Sequence, residues 1–360
     1  MSDFHTPLCD LLGSRYPIVQ TGMGWVTGSD LVAATANAGG FGFLAGATIA
    51  ADRIEAEIVR VRELTGDKPF GLNFHMFQPN AAQLLDLAVK HRIRAVSYGR
   101  GPDKKVIGRL RDAGIVCMPT VGALKHARKA IEMGANVITI QGSEGGGHTG
   151  SVPTTVLLPQ VVDAVKVPVV AAGGFFDGRG LLAALAYGAQ GIAMGTRFLM
   201  TTDSKVPAVT LECYLAAREA EKIQISHLVD GMPQRMIPNA YLAMLEKASP
   251  LRRLRIALNL ALQYKSQTGM TSAHALKVLW QSLRDDAGSV AQTVMAANAP
   301  MLLQRAMIEG KPAEGVMAAG QVAALINRVD SCQEVIEGII AQARERRDAL
   351  LAIGTEENHV

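Results

Sequence analysis

AAGGFFDGRG, residues 171–180, and GIAMGTRF, residues 191–198, decide the fold. Each continues a short apolar run, PVVAA (168–172) and GIAM (191–194), and each turns at glycine before an amphipathic stretch. Gly173 and Gly174 have no Cβ, so a phosphate can approach their backbone, and the N–H groups at the following helix start can point at it. Gly195 and Thr196 repeat the device one unit later and add a hydroxyl. One such pair is the ordinary tight turn between strand and helix. Two pairs in adjacent units make a clamp for a single phosphate monoester, which closed barrels build after their seventh and eighth strands. Open doubly wound sheets, the alternative with the same local signals, bind phosphate after the first strand.

Working outward from this pair, apolar runs alternate with amphipathic stretches from Tyr16 to Thr196. The strand candidates are Tyr16–Gln20, Phe41–Ala45, Phe70–Phe74, Ala95–Tyr98, Ile115–Thr120, Asn136–Gln141, Pro168–Ala172 and Gly191–Met194. Between them lie segments such as Asp52–Thr65, with Ile54, Ile58 and Val61 near helical spacing and Gly66 just beyond. Eight alternating units predict an α/β fold, a (β/α)8 barrel over residues 1–204. Single barrels run to about 250 residues, and this chain has 360 with 49% hydrophobic and 19% charged residues, so an appendage is expected. Residues 205–360 are read as a C-terminal helical lobe covering the substrate, with helices over Pro250–Lys265, His274–Asp285 and Gln333–Leu351 and a closing segment that packs back on the barrel.

Cys9, Cys117, Cys213 and Cys332 lie far apart, which suggests neither a zinc site nor a disulfide framework and fits a reducing cytoplasm. No His spacing supports a metal. No leader pattern and no long apolar run point to export or a membrane span. A net charge of +4 and a pI near 8.9 favour anionic small molecules. Aromatics at 5%, with no basic tract interleaved, argue against nucleic acid. A homo-oligomer is left open.

Three further segments carry chemistry. QTGMGWV (20–26) ends the first strand with Gly22, Met23 and Gly24, a turn able to lie flat under an aromatic ring system with its amides toward ring heteroatoms; an equally good reading is a loop that only needs unusual backbone angles. FGLNFH (70–75) brings Asn73 and His75 to a strand end, where barrels gather their site residues. IQGSEGGGHTG (140–150) places His148 after three glycines, in a mobile loop that lets an imidazole stand over a bound ring. Histidine is suited to proton transfer near neutral pH, and His148 is the candidate catalytic base. Glu144 reads as a solvated loop carboxylate. Arg252, Arg253 and Arg255 make a basic helix face, solvated by default, that could also grip the phosphates of coenzyme A.

These motifs resemble the nitronate monooxygenase superfamily, formerly 2-nitropropane dioxygenases, which includes FMN-dependent enoyl-acyl carrier protein reductases. The resemblance runs from Pro17 to Ser204 through PIVQTGMGWV, ATANAGGFG, KPFGLN, QGSEGGGHTG, PVVAAGGFFDGRG and AMGTRFL. It implies an FMN-containing TIM barrel, with FMN contacts at Gly22, Met23, Gly24, His75, Gln141, Gly146 and Gly147 and a phosphate clamp of Gly173, Gly174, Gly195 and Thr196. It also implies that His148 is the base. Where related members carry an aspartate at the sixth strand end and a lysine near the fifth, this chain has Gln141 and Thr120. The runs TTDSKVP, VDGMP and MAANAPMLL are similar to a branch of flavin enzymes in bacterial steroid C/D-ring breakdown that act on CoA thioesters. That branch implies α,β-dehydrogenation of a CoA thioester. Oxidation of alkyl nitronates with O2, an NAD(P)H-dependent quinone or enoyl reductase, and a non-catalytic phosphate-ligand binding protein are the alternatives.

Overall fold

The computed structural model describes residues 3–75, 78, 80–99, 104–268 and 298–353. Nine short strands form one parallel sheet: β1 (Ile18–Gln20), β2 (Phe41–Ala45), β3 (Gly71–Asn73), β4 (Ala95–Ser97), β5 (Val116–Cys117), β6 (Thr120–Val121), β7 (Ile138–Gln141), β9 (Val169–Ala172) and β10 (Gly191–Met194). Their order is β5-β4-β3-β2-β1-β10-β9-β7-β6. β5 and β6 are two pieces of one stave, expected as a single strand over 115–120. Pro119 lies between them and lacks the N–H a ladder needs. That stave closes the ring: β5 pairs with β4 and β6 with β7, while Thr139 donates to the Pro119 carbonyl at 2.9 Å and Val137 to Cys117 at 3.2 Å. The fold is the expected barrel of eight parallel staves.

Sequence explains both faces of the barrel wall. Val19, Phe41, Phe43, Ala95, Val116, Met118, Val170 and Ala193 fill its interior, where Phe41 and Phe43 meet edge to face with ring centres 5.2 Å apart. Leu8 and Leu12 of the helix Pro7–Leu12 join this cluster and are fully buried. At about 25 cal/mol per Å² of apolar surface removed from water, burial of such side chains is the main stabilising term.

Past Ser204 the chain forms strands as well as the expected helices and loops. β11 (Gln224–Ser226), β12 (Gln234–Ile237) and β13 (Met317–Ala318) form an antiparallel sheet with β8 (Gly147–His148), which comes from the glycine loop. β12 joins lobe to barrel in register, Gln234 opposite His148 and Arg235 opposite Gly147. The glycine loop expected to be mobile is therefore one edge of a sheet. Helices span Ala208–Ala216, Ala240–Lys247, Pro250–Thr268, Asn298–Met307 and Cys332–Ile353. The last packs on the helices Gly178–Ala186 and Ser29–Asn37. The helix expected over His274–Asp285 lies outside the described residues. Among the described residues no helix is long and apolar enough to cross a membrane.

Candidate active site

Every strand-end motif singled out above reaches the C-terminal face of the barrel. Gly173 and Gly174 leave β9 with φ of +89° and +88°. A Cβ on Gly173 would sit 3.0 Å from the Gly142 carbonyl and 3.2 Å from Gly145 N, so the turn lies directly against the glycine loop. Thr196 follows β10 and is buried. Its hydroxyl oxygen accepts from Gly320 N at 2.9 Å, which leaves the hydroxyl proton free to donate to an anion. Backbone amides of a glycine turn and one hydroxyl are the donor types a phosphate monoester takes.

Gly22, Met23 and Gly24 form the adjoining wall. A Cβ on Gly22 would lie 2.3 Å from the Asn73 Cβ, so only glycine lets the β1 turn rest on β3. Asn73 donates to the Ser97 carbonyl at 3.2 Å. Met23 N donates to Thr27 Oγ1 at 2.9 Å, and its sulfur lies 3.4 Å from where a Gly195 Cβ would be, which joins the β1 turn to the turn after β10. His75 is exposed at the β3 end, with Nδ1 3.5 Å from the Gly99 carbonyl. Trp25, in the left-handed region at φ +67°, donates from its indole to the Pro300 carbonyl at 2.8 Å and ties this wall to the lobe.

The glycine loop is fixed from within. The Gln141 amide donates to the His148 carbonyl at 2.8 Å and to the Gly146 carbonyl at 3.4 Å. Glu144 is not a solvated carboxylate: it accepts from Thr154 N at 3.0 Å and from the Thr154 hydroxyl at 2.8 Å, at the start of the helix Thr154–Ala164. Arg235 donates to the Ser143 carbonyl at 2.9 Å and to the Ile223 carbonyl at 2.6 Å. Burial pulls its guanidinium down from the ordinary value, against the pull of Glu144. These bonds fix the loop that carries His148, whose side chain is 52% exposed.

Behind the imidazole lies a residue that sequence reasoning passed over. His148 Nε2 is 2.7 Å from Asp230 Oδ2, and the Asp230 side chain is only 5% exposed. Gln234 donates to the same oxygen at 2.6 Å, and Met232 N donates to Asp230 Oδ1 at 3.1 Å. The one signal for Asp230 was the Asp-Gly turn in VDGMP, which reads as punctuation. The segment Ala319–Gln321 was also missed: Gly320 holds Thr196, Gln321 N donates to the Glu144 carbonyl at 3.0 Å, and Ala319 packs on Gly146. Of the three arginines in the basic helix, Arg253 is spent on the carbonyls of Leu245 and Glu246 at the end of the preceding helix, while Arg252 and Arg255 are exposed. Among the described residues no group of His, Cys, Asp or Glu could hold a metal ion.

The family model for nitronate monooxygenase matches residues 5–89 and 80–342. The (3aS,4S,5R,7aS)-5-hydroxy-7a-methyl-1-oxo-octahydro-1H-indene-4-carboxyl-CoA dehydrogenase of Rhodococcus jostii is 46% identical over 353 residues, 98% of this chain and 99% of that protein. Its namesake from Mycobacterium tuberculosis is 44% identical over 351 residues, 94% of this chain and 96% of that one. Among solved structures, FabK from Thermotoga maritima superposes with a TM-score of 0.76 at 30% identity, covering 97% of this chain and 99% of FabK. The chain belongs to the nitronate monooxygenase family of flavin oxidoreductases.

Proposed function

We propose that this flavin oxidoreductase holds FMN and dehydrogenates a CoA thioester between its α and β carbons, with His148 as the base. The single observation that carries the reading is the His148 imidazole. It is half exposed at the barrel mouth, set in a glycine loop that touches the phosphate-binding turns, and backed by a buried carboxylate.

The cofactor end fits FMN by its donor set. Gly173, Gly174, Gly195 and Thr196 would hold its phosphate, and Gly22, Met23, Gly24, His75, Gln141, Gly146 and Gly147 would line its ring. Bound there, FMN supplies the two-electron acceptor for a hydride from the β carbon. The proton is this chain's own task. A thioester carbonyl acidifies its α C–H, His148 removes that proton, and the departing α and β hydrogens leave a carbon–carbon double bond. Two relatives spanning nearly the whole chain are named as dehydrogenases of a bicyclic carboxyl-CoA ester, which supports a bulky cyclic acyl group here. A net charge of +4 suits the phosphates of CoA. All four cysteines are thiols, which supports a reducing cytoplasm.

The test is an anaerobic titration of the yellow holoenzyme with saturated cyclic carboxyl-CoA thioesters, alkyl nitronates and NAD(P)H. Bleaching by the thioester supports the reading. Bleaching by nitronate or nicotinamide alone overturns it in favour of a nitronate oxidase or a reductase. Enzyme reduced by thioester is then mixed with O2 or NAD(P)+ to identify the electron acceptor. Mass spectrometry of the released flavin tests FMN; FAD would contradict it.

A further inference from the structure

We infer that Asp230, contributed by the lobe, is a positioning residue that keeps His148 protonated at Nε2 and so presents Nδ1 as the base. The inference rests on the reading of His148 as the base and adds which nitrogen works and what selects it.

Three nitrogens converge on Asp230. Gln234 Nε2 lies 2.6 Å from Oδ2, Met232 N lies 3.1 Å from Oδ1, and His148 Nε2 lies 2.7 Å from Oδ2. An oxygen that already takes a proton from Gln234 is an acceptor for the imidazole as well, so the ring N–H is on Nε2. Gln234 Nε2 stands only 3.2 Å from His148 Nε2. Both nitrogens are donors aimed at one oxygen, which forms a triangle with them and, as a carboxylate, accepts from both. With Nε2 carrying the proton, Nδ1 keeps its lone pair.

The arrangement is stiff. Asp230 accepts from Met232 across a local turn whose middle residue, Gly231, has φ +80°. Gln234 is 2% exposed and faces His148 in the β12–β8 register. The base is therefore on the barrel and its orienting carboxylate on the lobe, so the proton-transfer unit is complete only when β12 is paired with the glycine loop.

Asp230→Asn makes the inference sharp. Met232 N–H holds the carboxamide oxygen at the Oδ1 position, and the Gln234 amide, which now faces an NH2 at the Oδ2 position, turns its oxygen to accept from it, so the second proton of that NH2 faces the imidazole. Nε2 must then accept, and the ring proton moves to Nδ1. The experiment records long-range ¹H–¹⁵N correlation of ¹⁵N-histidine-labelled holoenzyme with the imidazole neutral, the His148 signals being identified by their loss in His148→Asn. Wild type is expected to carry its proton on Nε2 and Asp230→Asn on Nδ1. Turnover of a saturated cyclic carboxyl-CoA should fall about 10²- to 10⁴-fold in kcat, with KM within about threefold, and Asp230→Glu should recover part of kcat. A wild-type proton on Nδ1 overturns the inference without recourse to any variant. A tautomer shift in Asp230→Asn with unchanged kcat also overturns it. Normal turnover by His148→Ala would instead remove the base reading itself and leave the tautomer to its own spectrum.

Discussion

Replacement of Gly146 by alanine probes a crowded joint of the proposed cofactor site, where the glycine loop meets the segment Ala319–Gln321. Its Cβ would lie 2.5 Å from Gly320 N and 2.6 Å from the Ala319 carbonyl carbon, where ordinary contact begins at 3.4 Å. The difference, 3.4 − 2.5 = 0.9 Å, must come from backbone, because no side chain is available to turn away. Overpacking of this kind costs about 1–3 kcal/mol. Moving Gly320 also strains its 2.9 Å bond to the Thr196 hydroxyl, which adds about 1 kcal/mol. Together they amount to roughly 2–4 kcal/mol, and if the displacement falls on the phosphate clamp, flavin affinity drops about 30- to 700-fold. Gly66→Ala, at the end of the helix Ile54–Thr65 and away from the site, is the control: its Cβ meets nothing within 4 Å, and its φ of +60° adds about 1–2 kcal/mol of local strain. The assay is fluorescence titration of each apoprotein with FMN, alongside urea unfolding. Gly66→Ala should lose stability with flavin affinity within about threefold of wild type, and Gly146→Ala should lose the affinity itself. Wild-type affinity in Gly146→Ala would refute the reasoning.

Two further outcomes follow from the same contacts. Thr196→Val keeps the side-chain shape but leaves Gly320 N–H without its acceptor and removes the one hydroxyl of the clamp, so FMN affinity should fall by about 1–3 kcal/mol; isothermal titration of the apoprotein measures it, and an unchanged Kd would remove Thr196 from the site. Burial pushes the thiols of Cys117 and Cys332 up to about 11 and about 12. The folded state thus prefers the protonated thiols, and the stability they contribute is complete below pH 9 and lost as pH rises through 11 to 12. Urea midpoints should fall over that window, and native protein at pH 8 should expose at most the half-buried Cys213 to a thiol reagent. Rapid modification of all four would contradict the packing.

Strand ends and glycine turns were legible because barrel geometry ties them to local pattern. PVVAA and GIAM are buried on both faces, as parallel strands are, and the glycines that follow are forced by the close approach of neighbouring turns. The split of the fifth stave at Pro119 could also have been read, since proline cannot donate to a ladder. The sheet β11–β13 could not. Its strands are two to four residues long, and β12 buries Gln234 and Arg235, whose side chains signal solvent in any scan of hydropathy. Asp230 was hidden for the same reason. Its meaning comes from His148, 82 residues away in sequence, and only the pairing of β12 with β8 brings them together. Gln141 shows the opposite failure. Its position at a strand end was clear, but not that its amide would be engaged by the loop carbonyls of Gly146 and His148.

The most direct test of the central claim is exchange of the substrate's α-proton. Holoenzyme is incubated anaerobically in D2O with a saturated cyclic carboxyl-CoA thioester, and deuterium in the recovered thioester is followed by mass spectrometry. Wild type should incorporate one deuterium at the α carbon, and His148→Ala, with its flavin still bound, should do so roughly 10²-fold or more slowly. Exchange by His148→Ala at the wild-type rate would contradict the assignment of His148 as the base.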